Sequence, residues 1–236
     1  FFIDGDMTLD EDFINHVYEG EKGLKYDLVS GELEEILYND DWEKTGYVKN
    51  RFKTPGDEKA HRELGGIFLI NAAVFKSVAG FKEHMKLNED ADLQVRLAEK
   101  GFFLHRVGHR IATHHTIFYF SIKRSIKRLL SGDLLYLGVF YRENLTNRYS
   151  LKKLLDMQKF TFALILSGFL SLLINPAVLL AYPALIMIRH HLSHRGKCSV
   201  LEYVLGIVFM DICLLLGFLL FYPKIKKVHY KFTIDQ

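Results

Sequence analysis

Residues 1–13, FFIDGDMTLDEDF, run from an apolar start straight into Asp4, Gly5 and Asp6, and the reading of this stretch decides the fold. FFID reads as a short buried strand. Side chains two apart on an extended segment share a side, so both carboxylates at its end can grip one ion directly or through water. A calcium loop of the EF-hand kind is excluded. Counting from Asp4, its fifth and sixth positions fall on Thr8 and Leu9, where the loop needs a further oxygen ligand and a Gly. A D-x-D pair at the carboxyl end of a strand in an α/β sheet, holding a divalent ion against a diphosphate, fits the spacing; a solvated turn is its plain alternative.

The 236 residues allow one ordinary domain plus something small, and 49% of them are hydrophobic, concentrated in the last third. A formal charge of +3 is too mild for a nucleic-acid binder, and the Lys and Arg residues gather around the apolar runs, as beside a membrane surface. The two cysteines, Cys198 and Cys213, are too far apart to bridge along a helix, which fits a reducing compartment. The chain opens without Met inside what reads as a strand, so further polypeptide is expected ahead of Phe1.

Outward from the opening, DEDFINHVYEG predicts a helix with Asp10 in the capping position, and LKYDLVSGELEEIL a strand with a turn or bulge near Gly31. Residues 38–63, with Pro55 and Gly56, predict a long loop. GGIFLINAAVF predicts a buried strand and a short helix. LNEDADLQVRLAEKGF predicts a helix capped by Asn88, with Glu89, Asp90 and Asp92 in its first turn, Leu93 and Leu97 on one face and Gly101 as the stop. FFLHRVGHRIATHH predicts one strand, or two joined near Gly108, with His105 and His109 facing solvent or a basic surface.

Ile122, Ile126, Leu129 and Leu130 then fall at helical spacing opposite Lys123, Arg124, Lys127 and Arg128, the pattern of a basic helix lying on an anionic bilayer. Phe160 to Ile188 carries no charge and as a helix would reach roughly 43 Å against a hydrocarbon core of about 30 Å, with Pro176 and Pro183 as places for a kink. Val200 to Tyr222 is a second apolar run, interrupted by Glu202 and Asp211. Together they predict a transmembrane helical hairpin, in which Asn175 and Asp211 lie at equal depth and can bond across the helices. Arg148, Lys152, Lys153 and Lys159 before it, Arg189, Arg195 and Lys197 in its loop, and Lys224, Lys226, Lys227 and Lys231 after it favour a multi-pass protein in the cytoplasmic membrane with its soluble part and tail inside.

The ordered set IDGDM, GGIFLINAAVF, LNEDADLQVRL and a strand ending in THH, followed by membrane helices, resembles the carboxyl half of a family 2 glycosyltransferase of the GT-A fold, of the membrane-attached bacterial style. The resemblance covers residues 1–118. With the charge and hydropathy pattern of the rest of the chain it gives four expected regions: a partial catalytic domain at 1–118, basic interfacial helices at 119–158, two transmembrane helices at 159–222 and a basic cytoplasmic tail at 223–236. It further implies an inverting, metal-dependent transfer from a nucleotide-sugar donor to a lipid-linked or glycan acceptor, as in cell-envelope glycan synthesis. In the roles it implies, Asp4 and Asp6 hold Mg or Mn against the donor diphosphate, and Asp90 deprotonates the acceptor hydroxyl. Glu89 supports Asp90, Gly65 and Gly66 let backbone approach the ligand, and His114 or His115 completes the metal or diphosphate site. A strand turns only one of the two histidines inward, and His114 is preferred.

The family's processive members carry QxxRW beyond the base; Ser125, Ile126, Lys127, Arg128 and Leu129 keep only the Arg, so addition of single sugars is expected. The nucleotide-binding strand–helix units that precede D-x-D in the family are absent here, so the donor pocket is incomplete and the chain alone is expected to be inactive. Two other classes stay open. One is a membrane-anchored scaffold with a degenerate transferase half. The other is a phosphatase of the haloacid dehalogenase type, whose DxDGT places Gly after the second Asp rather than between the two.

Overall fold

The computed structural model describes residues 1–39, 41–52, 58–60, 64–117, 122–193 and 199–224. The opening stretch forms two short strands, β1 (Phe2–Ile3) and β2 (Met7–Leu9), with Asp4, Gly5 and Asp6 between them. Helix α1 (Phe13–Val17) follows, then β3 (Leu28–Tyr38), β4 (Lys44–Val48), β5 (Glu58–Ala60), β6 (Ile67–Ile70), α2 (Ala72–Ser77), α3 (Glu89–Glu99) and β7 (Leu104–Ile117). The strands make one seven-stranded sheet in the order β1-β6-β3-β7-β2, with β4 on β3 and β5 on β7. Only β3 and β7 run parallel, so the molecule is an α/β protein with a mixed sheet and flanking helices.

The apolar run IFLI is buried on both faces, as an inner strand requires. Ile67 and Leu69 pack with Phe13, Val17 and Ile111 on one side, and Phe68 and Ile70 pack with Val74, Leu93 and Leu97 on the other. The bulge foreseen at Gly31 is present: Ser30 pairs with Arg106 and Glu32 with Arg110, so three residues of β7 face one of β3. A Cβ at Gly31 would lie 2.3 Å from the His109 carbonyl oxygen, which is why no larger residue fits. β7 is one strand through Gly108.

Four local expectations are corrected. Helix α1 begins after Asp12, and Asp10 instead accepts a hydrogen bond from the Asp12 N–H and pairs with Arg110 at 2.6 Å. Within the predicted loop at 38–63, β4 returns along β3 through a turn in which Asn39 Oδ1 accepts from the Asp41 and Glu43 amides, and β5 pairs with β7. Asn88 precedes α3 in the left-handed region, at φ 60°, and its side chain makes no capping bond. His105 is half-buried and stacks on Tyr26 rather than facing solvent, whereas His109 is exposed, as expected, and stacks on His16.

The remaining helices are α4 (Ile122–Leu130), α5 (Tyr136–Glu143), α6 (Arg148–Met157), α7 (Lys159–Leu173), α8 (Ala181–Ser193) and α9 (Val200–Leu219). Among the described residues α9 is the one helix long and apolar enough by itself to cross a membrane. The expected span at 160–188 is broken: α7 ends before Asn175, whose side chain accepts from the Ala177 N–H, and a 3-10 turn at Pro176–Leu180 leads into α8. Proline lacks the N–H and fixes φ, so the helix cannot continue through it. At 1.5 Å per residue α7 and α8 each reach roughly 20 Å, short of a bilayer core. Helices α6 and α7 meet at 76°. Residues from 225 onward with Lys226, Lys227 and Lys231, the loop residues Arg195, Lys197 and Cys198, Pro55 and Gly56, and the side chains of 122–125 lie outside the described residues.

The break also overturns the pairing of Asn175 with Asp211. Asp211, buried on α9, accepts instead from Thr161 of α7 and Tyr182 of α8, both at 2.6 Å. One carboxylate thus ties three helices. Replacing Tyr182 by Phe strands one oxygen in apolar surroundings and is expected to destabilise the helices by about 1–3 kcal/mol. Unfolding in mixed micelles measures this, and an unchanged midpoint would show that Asp211 does not depend on the tyrosine.

Candidate functional site

The turn after β1 is set by two backbone bonds: the Asp4 N–H donates to the Gly66 carbonyl at 3.0 Å, and the Met7 N–H donates to the Asp4 carbonyl at 3.2 Å. Gly66 has φ +67°, and a Cβ there would stand 2.0 Å from Asp4 Oδ2, so the carboxylate lies directly over bare backbone. Across from it the start of α3 delivers Glu89 and Asp90. The three acids share one cleft of about 180 Å³, lined also by Phe2, Ile3, Gly66, Phe68 and Phe81. No Lys or Arg is among these described lining residues.

Electrostatics follow from that geometry. Burial raises the pKa of Asp4, repulsion from Asp6 and Asp90 raises it further, and His114 offsets part of the rise. Burial also raises the pKa of Glu89, opposed by its own amide and helped by Asp90 and Asp4. Carboxylates that repel one another in a shared cleft are relieved by taking up a proton or a cation.

Asp6 leaves this cleft. The segment is a turn rather than an extended strand end, and Asp6 Oδ2 lies 3.2 Å from His114 Nε2. His114 Nδ1 lies 3.4 Å from Glu35 Oε1, which also meets Arg51 Nε at 3.4 Å. His115 lies on the other side of β7, within 3.3 Å of Thr8 Oγ1 and 3.1 Å of Tyr38 Oη. Gly65, at φ +76°, sits against the Phe52 ring and outside the cleft lining.

The structure therefore brings together Asp4, Gly66, Glu89 and Asp90, sets Asp6 with His114 beside them, and keeps Gly65 and His115 apart. Among the described residues no group of three or more His, Cys, Asp or Glu side chains converges on one point as a complete metal shell. Mg is commonly held by one or two carboxylates with water and substrate phosphates, so the cleft's carboxylates suit such an ion without a full protein cage. Sequence reasoning missed the aromatic wall of Phe2, Phe68 and Phe81, in which the Phe68 ring, tilted, and the Phe81 ring, edge-on, each lie 5.1 Å from that of Phe2. It also missed Glu35, an acidic residue in a strand with nothing local to mark it.

The chain is thus an α/β protein with a mixed sheet, an acidic cleft at one end of that sheet and one apolar helix of membrane-spanning length. No protein-family description matches the chain, and no curated protein matches it.

Proposed function

We propose that this chain carries the carboxyl half of the catalytic domain of a membrane-attached, metal-dependent inverting glycosyltransferase with the GT-A fold, related to family 2. The observation that carries this reading is that Asp4 and the pair Glu89–Asp90, distant in sequence, line one half-open cleft. In this reading Asp90 takes the proton of an acceptor hydroxyl as the sugar is attacked from the side opposite the leaving group. Glu89, its pKa raised by burial first and then by its neighbours, keeps a proton more readily and donates it to a sugar or acceptor oxygen. Asp4, with Asp6 and His114 alongside, holds a Mg or Mn ion, and Gly66 admits the donor close to the backbone. Such an ion, when bound, neutralises the charge that grows on the departing nucleoside diphosphate.

The aromatic wall gives the sugar ring an apolar face. Membrane attachment rests on α9, with α7 and α8 forming the remainder of a multi-pass region. The exposed Ile126 and Leu130 of α4 and the exposed Arg148, Lys152 and Lys159 rest on the cytoplasmic leaflet. The acceptor in this arrangement is lipid-linked or a glycan held at the membrane.

The full-length protein in micelles tests the proposal against UDP-glucose, UDP-N-acetylglucosamine and GDP-mannose, with and without Mn. Donor hydrolysis that needs Mn is expected. Thermal unfolding should show stabilisation of about 2.7 kcal/mol at a hundredfold excess of Mn over its dissociation constant. Replacing Asp4 by Asn should remove that shift. Because the pKa of Asp4 is raised above its usual 3.8, protons compete with the ion, and the Mn effect fades as pH falls through that raised value. Absence of both hydrolysis and a Mn-dependent shift would leave the scaffold reading standing instead.

A further inference from the structure

One face of the carboxyl-terminal half of α9, carrying Leu214 and Gly217, packs against α5, while Ile212, Leu216 and Leu219 stay exposed. A Cβ at Gly138 of α5 would lie 2.3 Å from both the Leu214 carbonyl oxygen and the Phe218 nitrogen, and one at Gly217 would lie 2.0 Å from the Leu135 carbonyl oxygen. Backbone therefore meets backbone where α5 crosses α9. Arg142 locks the crossing. Its guanidinium donates to the last-turn carbonyls of Gly217 at 3.0 Å and Phe218 at 2.9 Å, which a helix leaves unpaired, and to the Phe221 carbonyl just beyond the helix at 2.9 Å. It also covers the Tyr222 ring at 4.1 Å.

Two positions on, α5 grips α3. Asn144 Nδ2 donates to Asp92 Oδ1 at 2.8 Å, and Asn147 Nδ2 donates to the Val95 carbonyl at 2.9 Å. Ala91 and Val95 of α3, Val139 and Phe140 of α5, and Leu214 of α9 fill the space between as one buried cluster. The helix whose first residues, Glu89 and Asp90, line the cleft is thereby joined to the apolar helix through α5 by packing and directed bonds to each.

We infer that Arg142 is a positioning residue that fixes the acidic cleft at a set height and tilt relative to the membrane helix. The bilayer part rests on the proposed reading of α9 as a span; the coupling of α3 to α9 does not. Asn144, just past the same end of α5, is the corresponding contact to α3. Such coupling suits an acceptor hydroxyl presented at the bilayer surface, where a tilt of the cleft would misalign it before binding is lost.

The test uses the full-length protein in phosphatidylcholine vesicles containing phosphatidylglycerol, with Cys198 and Cys213 replaced and spin labels at the exposed positions Lys100 and Leu205. The expected wild-type result is one narrow distance distribution, and Arg142→Ala should at least double its width. Arg142→Lys, which keeps the charge but not the fork, should fall between the two and covers the case in which the alanine variant fails to fold. With whichever of the three nucleotide sugars is hydrolysed, Arg142→Ala should keep kcat for hydrolysis within twofold, because water needs no alignment with the bilayer, while kcat for transfer to a polyprenyl phosphate in the same vesicles should fall at least tenfold with KM within twofold, and Arg142→Lys should restore part of it. An unchanged distance distribution in both variants overturns the coupling. A wild type that hydrolyses none of the donors, yet broadens on substitution, overturns the proposed function and leaves the coupling intact.

Discussion

Replacing Asp90 by Asn is expected to lower sugar transfer by roughly 10²–10⁴-fold, the range that a positioned general base contributes. The variant separates chemistry from folding unusually well. Asp90 Oδ1 accepts the Ala91 N–H at 2.7 Å, and the amide oxygen of Asn can keep that bond, so the start of α3 should survive. What is lost is the lone pair that can hold a proton. Repulsion on Asp4 and Glu89 also falls, because Asp90 is among the charges that raise the pKa of each after burial. Donor binding should therefore hold, and Mn binding should weaken only modestly because Asp4 keeps its charge, while kcat collapses. Transfer above about a tenth of wild type would remove Asp90 from the role of base, a smaller loss than this class of catalysis allows.

The legible part of this fold is the part governed by local chemistry. IFLI reads as an inner strand because all four residues are apolar, Gly31 marks its bulge because no Cβ fits there, and α3 shows both its acidic first turn and its Leu93–Leu97 face. The acids of the cleft were found for the same reason: each sits at the end of a readable element. What escaped depends on contacts between distant segments. β5 is three residues with no pattern of its own, formed because the β7 edge accepts it. Asp6 and Asp4 are spaced to share a side only if the chain is extended, and the turn parts them. In the apolar tail, composition alone distinguishes lipid from protein poorly: the run at 160–188 and that at 200–222 look alike, yet one is broken at Pro176 and the other is packed against α5 through two glycines. Arg142 and Asn144 carry no signal until the three helices they join are assembled.

Asp92 makes the strongest prediction for stability. It is fully buried on α3, one turn from the cleft, and is met by Lys82 at 2.8 Å, Arg96 at 2.7 Å and Asn144 at 2.8 Å. Burial alone would raise its pKa, but the hydrogen bonds from Lys82 and Asn144 and the charge of Arg96 outweigh it and hold the value below the usual 3.8. Removing one member of a buried charged set leaves the others unmatched, which typically costs about 3–5 kcal/mol. Arg96 retains the Val78 and Gly80 carbonyls and Lys82 retains Glu143, so Asp92→Ala should fall at the lower end of that range. For a chain of this size a loss of about 3 kcal/mol lowers Tm by roughly 6–12 °C. The sign of the pH dependence follows from the depressed pKa. The stabilisation is complete above about pH 4, where an unfolded Asp is ionised, and is lost as pH falls through the folded value. The gap in Tm between wild type and variant should therefore be constant from pH 5 to 8 and close on further acidification. A gap below about 2 °C at pH 7 would mean that Lys82 and Arg96 satisfy each other's surroundings without Asp92, and that α3 is held to α5 by apolar packing alone.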